Sequence, residues 1–140
     1  MRILGIDYGR RRFGLALSDE TGTLASPLAP RIRTDESADL SFLCGLTIKR
    51  RVERIVIGLP LLMDGTCGEM ADEVLAFAKA LSAECSVPVD TFDERLTSRE
   101  AERVLVQADF SRARRRKLRD SVSAVLILQG YLDRQRADAP

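Results

Sequence analysis

The segment RIVIGLP, residues 54–60, is the feature that most constrains the fold of this chain. It is a short, continuous apolar run, which is typical of a strand that is buried on both faces. Other elements must then cover both faces of the sheet that contains it. Because no internal repeat or low-complexity linker interrupts the 140 residues, we expect a single domain over residues 1–134 and a flexible tail over residues 135–140.

The rest of the chain changes pattern partway along. Strand-like segments at residues 2–7, 13–18 and 24–33 follow one another and favour an antiparallel meander. Helical and strand-like segments then alternate. We predict helices over 37–51, from Thr66 to beyond Leu81, from Thr97 to about Gln107 and from about Arg114 to Arg134, and strands over 54–60 and 87–94. This order predicts an α/β fold with a mixed sheet and helices on both faces.

Two helix starts carry a capping-box pattern. Thr66 and Thr97 each stand three residues before a glutamate, Glu69 and Glu100. In such a box the threonine side chain and the glutamate side chain satisfy each other's backbone N–H groups. We therefore place the N-termini of two helices at these threonines.

Composition excludes several kinds of site. The chain has no histidine, which removes Ser-His-Asp and Cys-His catalysis and most zinc sites. Cys44, Cys67 and Cys85 lack metal-ligand spacing, so we expect free thiols in a reducing cytoplasm. No apolar segment is long enough to span a bilayer, and Asp7 interrupts any signal peptide. A cytoplasmic protein with no membrane partner is expected.

Positive charge is local, because the formal net charge is only +1. Any attraction to nucleic acid must therefore come from patches of basic residues. Three patches occur, namely RRR at 10–12, KRR at 49–51 and RARRRKLR at 112–119.

Acidic residues fall where ligands collect in sheets of this kind. Asp7 and the pair Asp93–Glu94 end predicted strands, and ligands bind at the C-terminal ends of strands in open α/β sheets. Asp120 shares a helical stripe with Ala124, Ile127 and Tyr131, which should face the sheet. Carboxylates without histidine suit Mg²⁺ or Mn²⁺, and such ions support phosphodiester hydrolysis.

Each acid also has a simpler interpretation. Asp7 alone would suit a turn, and Asp93–Glu94 before Arg95 would suit a surface ion-pair cluster of little energetic worth. Asp120 would pair with Arg116 or Lys117 on its own helix. The spacing of the acids leaves these interpretations and a metal site open.

Four segments carry a resemblance to a known family. ILGIDYGRRRFGLALSD, IVIGLPLLMDGTCGEMA, DERLTSREAE and DSVSAVLILQGYL occur in this order over residues 3–132. Together they resemble the signature blocks of the YqgF family, also called RuvX, of pre-16S rRNA nucleases or Holliday junction resolvase-like proteins. The resemblance implies a ribonuclease H-like fold, in which a five-stranded mixed sheet is flanked by helices.

The resemblance also implies a site. It matches the acidic metal ligands to Asp7, Glu94 and Asp120, with Mg²⁺ or Mn²⁺ as cofactor. Whether Asp93 or Glu94 faces the metal stays open, because neighbouring strand residues point to opposite faces. The family often has alanine where Ser123 stands, and the small side chain should preserve the packing.

The implied function is a metal-dependent nuclease that processes the 5′ end of pre-16S rRNA during ribosome biogenesis, with structured RNA as its partner. The alternatives are a Holliday junction resolvase on four-way DNA, for which a homodimer would suit the symmetry, and a non-catalytic nucleic-acid-binding module. Basic residues contact phosphate and do not separate RNA from DNA. The expected phosphate contacts are Arg10, Arg11, Arg12, Arg95, Arg114, Arg115, Arg116 and Lys117.

The segment GLPLLMDGT, residues 58–66, is predicted to form a loop at the C-terminal end of a strand. Gly58, Gly65 and Gly68 would let the backbone approach a phosphate closely. Asp64 would serve either that site or a plain turn, and we favour the turn.

Overall fold

The computed structural model describes residues 1–97 and 121–138. The strands are β1 (Ile3–Asp7), β2 (Arg12–Ser18), β3 (Ala25–Ile32), β4 (Arg54–Leu59) and β5 (Val89–Asp93). The helices of the described residues are α1 (Glu36–Lys49), α2 (Glu69–Glu84) and α3 (Val122–Ala137), and a 3₁₀ turn, Glu94–Leu96, follows β5. The helix predicted from Thr97 to Gln107, and the predicted start of the last helix at Arg114, lie outside the described residues.

The five strands form one mixed sheet in the order β3-β2-β1-β4-β5. The β1–β2 and β2–β3 pairs are antiparallel, and the β1–β4 and β4–β5 pairs are parallel. The predicted meander followed by βα units is therefore confirmed. The parallel part brings the C-terminal ends of β1, β4 and β5 to one edge of the sheet.

Strand β4 is buried on both faces, as its apolar run predicts. Ile55 and Ile57 point into the core beneath α1 and α2, where they join Leu43, Phe77 and other buried residues. Val56 points to the opposite face and packs in the core beneath α3. Because successive side chains of a strand point to opposite faces, β4 contributes to two hydrophobic layers. The sheet lies between α1 and α2 on one side and α3 on the other.

The start of α2 differs from the capping-box prediction. The helix begins at Glu69, and its N-cap is Gly68, which makes no side-chain cap hydrogen bond. The Thr66 hydroxyl instead donates to Asp64 Oδ1 at 2.7 Å. The capping-box prediction is wrong because the Thr66 hydroxyl bonds within the loop and not to the backbone of α2. Helix α1, by contrast, has a side-chain cap, since Asp35 accepts from the Ala38 N–H.

Two of the three cysteines are not free thiols. Cys44 on α1 and Cys85 at the end of α2 form a disulfide with a Cα–Cα distance of 5.3 Å, and Cys67 is free and exposed. The prediction of free thiols is therefore wrong for this pair. The two residues lie 41 positions apart, and only the packing of α1 beside α2 brings them together.

Helix α3 covers the face of the sheet opposite α1 and α2. Ala124, Ile127 and Tyr131 are buried, as their shared stripe predicts, whereas Asp120 lies outside the described residues. The helix continues to Ala137. Among residues 1–97 and 121–138, no helix combines the length and apolar character needed to cross a membrane.

Candidate active site

Asp7 is the last residue of β1 and is half-buried at the edge where the parallel strands end. Within the described part of the chain, its carboxylate has no hydrogen-bond donor or basic side chain as a partner. Burial disfavours the charged form and raises the pKa of Asp7 to about 6. An unpaired, half-buried carboxylate of this kind is unfavourable unless a cation meets it.

Glu94 lies close to Asp7, although Asp7 ends β1 and Glu94 follows β5, on the other side of β4. It is the first residue of the 3₁₀ turn after β5. Burial raises its pKa to about 7, and the negative charge of Asp7 contributes next. Asp7 ionises first, so its charge opposes the ionisation of Glu94. The two acids therefore act as a coupled pair.

The Glu94 side chain is seated over Gly58 of β4. A Cβ atom at Gly58 would lie 2.5 Å from Glu94 Oε1 and 2.5 Å from Ile127 Cδ1. The space above Gly58 is thus filled by the acid itself and by α3. Close approach of a phosphate to this glycine, which the sequence favoured, is wrong because Glu94 occupies the position.

A small cavity opens between the two acids. Its volume is about 220 Å³, and its lining is Asp7, Glu94, Thr97, Ser123, Leu126 and Ile127. The carboxylates and hydroxyls are therefore presented to one space with an apolar wall from α3. A cavity of this size and composition can hold a hydrated cation and one group of a substrate.

The choice between Asp93 and Glu94 is decided by geometry. The Asp93 carboxylate turns away from the cavity and accepts from Arg95 Nε and Nη2, at 3.1 and 2.7 Å. The hydrogen bond and ion pair with Arg95 lower the pKa of Asp93. Glu94 is consequently the member of the pair that faces Asp7.

Asp120, the third predicted acid, lies outside the described residues, as do Arg114, Arg115, Arg116 and Lys117. The chain is described again from Ser121, which is fully buried. The Ser121 hydroxyl donates to the Leu28 carbonyl at 2.6 Å and accepts from the Leu15 N–H at 3.3 Å. These bonds anchor the start of α3 to β2 and β3.

The predicted phosphate-contacting arginines that are described have different surroundings. Arg10 is exposed and pairs with Glu73 and Glu69 of α2. Arg11 and Arg12 are exposed in the turn and at the start of β2. Arg95 is bound to Asp93 and donates to the Met63 carbonyl at 3.3 Å. Arg10 and Arg95 thus each engage carboxylates of the protein.

The turn after Asp7 is held by a residue that the sequence did not single out. Arg33 Nη1 donates to the Gly9 carbonyl at 3.2 Å, and its Nε donates to Asp39, which is fully buried. The guanidinium also stacks on Tyr8 and Phe13. The sequence shows only a basic residue after a strand, so it gave no signal of this role.

The loop of residues 60–68 follows β4 at the same edge of the sheet. Asp64 Oδ1 accepts from the Thr66 N–H and hydroxyl, which is the turn role that we favoured. Gly65 has φ +87°, a conformation that other residues rarely adopt. Its neighbour in space is the Arg95 guanidinium, 3.5 Å from the position of a Cβ.

Ser123 and Thr97 line the cavity, and sequence reasoning assigned neither to the site. The Thr97 hydroxyl donates to the Glu94 carbonyl at 2.8 Å, and the capping box predicted for Thr97 with Glu100 lies outside the described residues. Ser123 was treated only as a small packing residue. Its position one helical turn after Asp120 and one turn before Ile127 was the available signal.

The donor set suits a hard divalent cation. Asp7 and Glu94 offer carboxylate oxygens, and Ser123 and Thr97 add hydroxyls at the same cavity. Mg²⁺ and Mn²⁺ favour such oxygen ligands. Within residues 1–97 and 121–138 no group of three acidic, histidine or cysteine side chains that could hold a metal ion assembles, so the acids described at this cavity are a pair.

Sequence comparison identifies close relatives. Residues 1–134 match the family model described as "RuvX: Holliday junction resolvase". A protein of Syntrophomonas wolfei is 50% identical over 133 residues, which are 95% of this chain and 94% of that protein. One of Moorella thermoacetica is 50% identical over 134 residues, 96% of both chains. Both carry the name "Putative pre-16S rRNA nuclease".

Solved structures show a similar fold at low identity. Thermus thermophilus RuvC in complex with a Holliday junction substrate matches with a TM-score of 0.61 and 14% identity, over 99% of this chain and 97% of that chain. The fowlpox virus resolvase in complex with junction DNA matches with a TM-score of 0.62 and 12% identity, over 96% and 99%. These likenesses confirm the ribonuclease H-like fold.

Proposed function

We infer that this chain, which belongs to the RuvX family, is a nuclease that hydrolyses phosphodiester bonds, and we propose that it trims the 5′ end of pre-16S rRNA with a divalent metal. The observation that carries the proposal is the carboxylate pair Asp7 and Glu94, which share one cavity without a basic partner among the described residues. The names of the relatives at 50% identity supply the substrate.

We propose Mg²⁺ or Mn²⁺ as the metal and Asp7, Glu94 and Asp120 as its ligands. A divalent ion at this position supplies positive charge that stabilises the negative charge developing on the phosphate in hydrolysis. The catalytic role of the three acids is supported by the donor chemistry of the described pair. Asp120 enters the proposal through its place in the DSVSAVLILQ segment.

The protein's own residues hold this centre in place. Asp7 ends a central strand and so has little freedom, while Glu94 is held from three sides by Gly58, Ile127 and the hydrogen bond from Thr97. The pKa of Glu94 is raised to about 7 by burial and by the charge of Asp7, so a cation bound between the two acids would favour the ionised form of both. Such preorganisation suits a site that must bind cation and phosphate together.

Substrate phosphates would be held by the basic residues around the site. Arg11 and Arg12 lie in and after the turn that follows Asp7, and Arg95 is adjacent to Glu94. We propose that these residues, with Arg10 and the basic residues 114–117, contact the strand on either side of the scissile bond. Phosphate contacts of this kind position the substrate without reading its sequence.

We propose that the protein acts in the cytoplasm, where the ribosomal precursor is found. A homodimer would suit the two-fold symmetry of a four-way junction if DNA is the substrate. The description of the family as Holliday junction resolvases makes four-way DNA the substrate to test beside RNA.

A cleavage assay tests the proposed function. Wild type, Asp7→Asn, Glu94→Gln and Asp120→Asn would be incubated with a 5′-extended 16S rRNA fragment and with a four-way DNA junction, in Mg²⁺, Mn²⁺ or EDTA. We expect metal-dependent cleavage of the RNA and a loss of about 100-fold or more in each variant. Cleavage of the junction alone would contradict the RNA assignment, and binding of both without cleavage would favour a binding module.

A further inference from the structure

The loop between β4 and α2 exposes apolar side chains at the edge of the sheet where Asp7 and Glu94 lie. We call residues 60–68 the β4–α2 loop. Met63 at its tip is 97% exposed and the adjacent Leu62 is 52% exposed. Leu96, in the 3₁₀ turn that carries Glu94, is 44% exposed. Single exposed apolar residues need no explanation, but these lie on two segments that flank one catalytic edge.

The exposure of Met63 is fixed by the backbone of the loop. The Leu62 N–H donates to the Thr66 carbonyl at 2.9 Å, and the Gly65 N–H donates to the Leu62 carbonyl at 2.8 Å. The bonds from Thr66 to Asp64 close the same turn. Met63 is therefore presented to solvent by a loop with its own hydrogen-bond network, rather than by a slack segment.

The loop is also tied to the segment that carries Glu94. Arg95 Nη1 donates to the Met63 carbonyl at 3.3 Å, and the same guanidinium is bound by Asp93 on the other side of Glu94 in sequence. At its other end the loop follows Gly58, over which the Glu94 side chain lies. Both attachments fix the tip of the loop relative to the acid pair.

We propose that Met63, supported by Leu62, packs against an unpaired base of the nucleic acid that is held at Asp7 and Glu94. This inference rests on the proposed nuclease function. The sugar-phosphate backbone of a nucleic acid is polar and charged, so an apolar side chain gains most from the faces of bases. Those faces are accessible where a strand is unpaired or can be unstacked.

Methionine suits this contact chemically. Its thioether is polarizable and its unbranched chain adapts to the flat ring of any base, since sulfur–aromatic contacts are favourable. The contact needs no hydrogen bonds to base edges, so it tolerates every base sequence. The loop would then select single-stranded or distorted sites over regular duplex, while the acids and arginines act on the backbone.

A fluorescent reporter tests the contact directly. The chain has no tryptophan, so Met63→Trp introduces a single indole at the tip of the loop. The matched control is Ile48→Trp, because Ile48 is 78% exposed at the end of α1 that leads to the opposite edge of the sheet. Both proteins would be titrated with single-stranded RNA in Ca²⁺, which replaces the catalytic metal, and with the same RNA carrying abasic sites.

We expect the indole of Met63→Trp to be quenched by the complete RNA and to respond at least threefold less to the abasic RNA. The indole of Ile48→Trp should respond to neither. An equal response of Met63→Trp to both RNAs would overturn the proposal, because the loop would then contact the backbone and not a base. No response to either RNA would also overturn the proposal, and a protein partner would then be the alternative occupant of the β4–α2 loop.

Affinity provides the second readout. Met63→Ala should weaken binding of single-stranded RNA by about threefold to tenfold, while Met63→Leu keeps most of the affinity and Ile48→Ala changes nothing. Unchanged affinity in Met63→Ala would contradict the proposal. Cleavage by the wild type separates the two hypotheses. Base-dependent quenching without cleavage would contradict only the nuclease function. Cleavage without quenching would contradict only the proposed role of the loop.

Discussion

The ionised carboxyl group of Asp7 is destabilising where it stands, because the site is half-buried and no basic side chain among the described residues pairs with it. Its pKa is raised from 3.8 to about 6 by burial, so the folded protein holds a proton that the unfolded chain releases. Ionisation therefore opposes folding between about pH 4 and pH 6. A buried ionisable group that lowers the stability of the folded protein is typical of functional sites.

Replacing Asp7 by asparagine should stabilise the metal-free protein. We expect Asp7→Asn to raise the free energy of unfolding by about 1–3 kcal/mol at pH 7.5, because the raised pKa penalises only the ionised wild type. Near pH 4 the difference should shrink to well under about 1 kcal/mol, since the folded wild type is then protonated at Asp7 and the unfolded chain is only partly ionised there. Urea unfolding in EDTA at both pH values measures this, with Glu53→Gln at an exposed site as control. A lower stability of Asp7→Asn at pH 7.5 would contradict the burial argument.

Metal binding should depend on pH through the same two groups. Protons compete with the cation until Asp7 and Glu94, with pKa values of about 6 and about 7, are both ionised. We expect the Mn²⁺ affinity to rise about tenfold or more between pH 5.5 and pH 7.5 and then to level off. Calorimetric titrations at a series of pH values measure the affinity, and a flat profile would show that these acids are not the ligands.

Sequence predicted the individual acids better than their orientation. Asp7 and Glu94 could be located because strand ends of a parallel sheet meet at one edge. The choice between Asp93 and Glu94 could not be made from strand alternation, because the strand ends at Asp93 and Glu94 opens a 3₁₀ turn. The ion pair of Asp93 with Arg95 then turns one acid away from the cavity.

At the scale of elements, the site depends on how β4, β5 and α3 meet at Gly58. The boundaries of the strands were predictable from apolar runs, and the five helices and strands that the structure describes after β3 follow the predicted order. The capping box predicted at Thr66 is wrong, because sequence spacing cannot show that the Thr66 hydroxyl bonds to Asp64 instead. Local patterns identify elements, but the contacts between elements decide which local bonds are made.

A side chain at Gly58 should displace Glu94. In Gly58→Ala the new methyl group would meet Glu94 Oε1 and Ile127 Cδ1 at 2.5 Å, so the acid must move. We expect metal affinity and cleavage to fall about tenfold or more, with the sheet retained in circular dichroism.

The matched control is Gly45→Ala in the middle of α1, where no atom lies within 4 Å of the new Cβ. This change should keep full activity and stabilise the protein by about 0.5–1 kcal/mol, since alanine favours a helix more than glycine does. Full activity in Gly58→Ala would show that Glu94 need not sit over this glycine.

Across the whole molecule, the sequence predicted a mixed sheet between two helical layers, and the structure has that architecture. The Cys44–Cys85 disulfide was not predictable, since it joins residues 41 positions apart with no motif around either. Its existence follows from the packing of α1 beside α2, on the face of the sheet away from α3. Contacts that are distant in sequence are the ones that spacing alone cannot reveal.

Removing the disulfide should lower stability without changing the active site. Cys44→Ser is expected to lower the free energy of unfolding by about 2–4 kcal/mol, because the open loop regains conformational entropy in the unfolded chain. Cys67→Ser, at the free and exposed cysteine, should have no such effect. Thermal unfolding with and without a reductant measures the difference. Equal melting temperatures of wild type in both conditions would show that the bond contributes nothing.

The proposed nuclease activity requires that Asp7 and Glu94 act together as ligands of one cation. Mn²⁺ binding followed by electron paramagnetic resonance tests this most directly, in wild type, Asp7→Asn, Glu94→Gln and the control Asp93→Asn. We predict that each of the first two variants loses about tenfold or more in Mn²⁺ affinity, whereas Asp93→Asn keeps it, since Asp93 faces Arg95. Undiminished Mn²⁺ binding in Asp7→Asn and Glu94→Gln would contradict the metal site and the mechanism built on it.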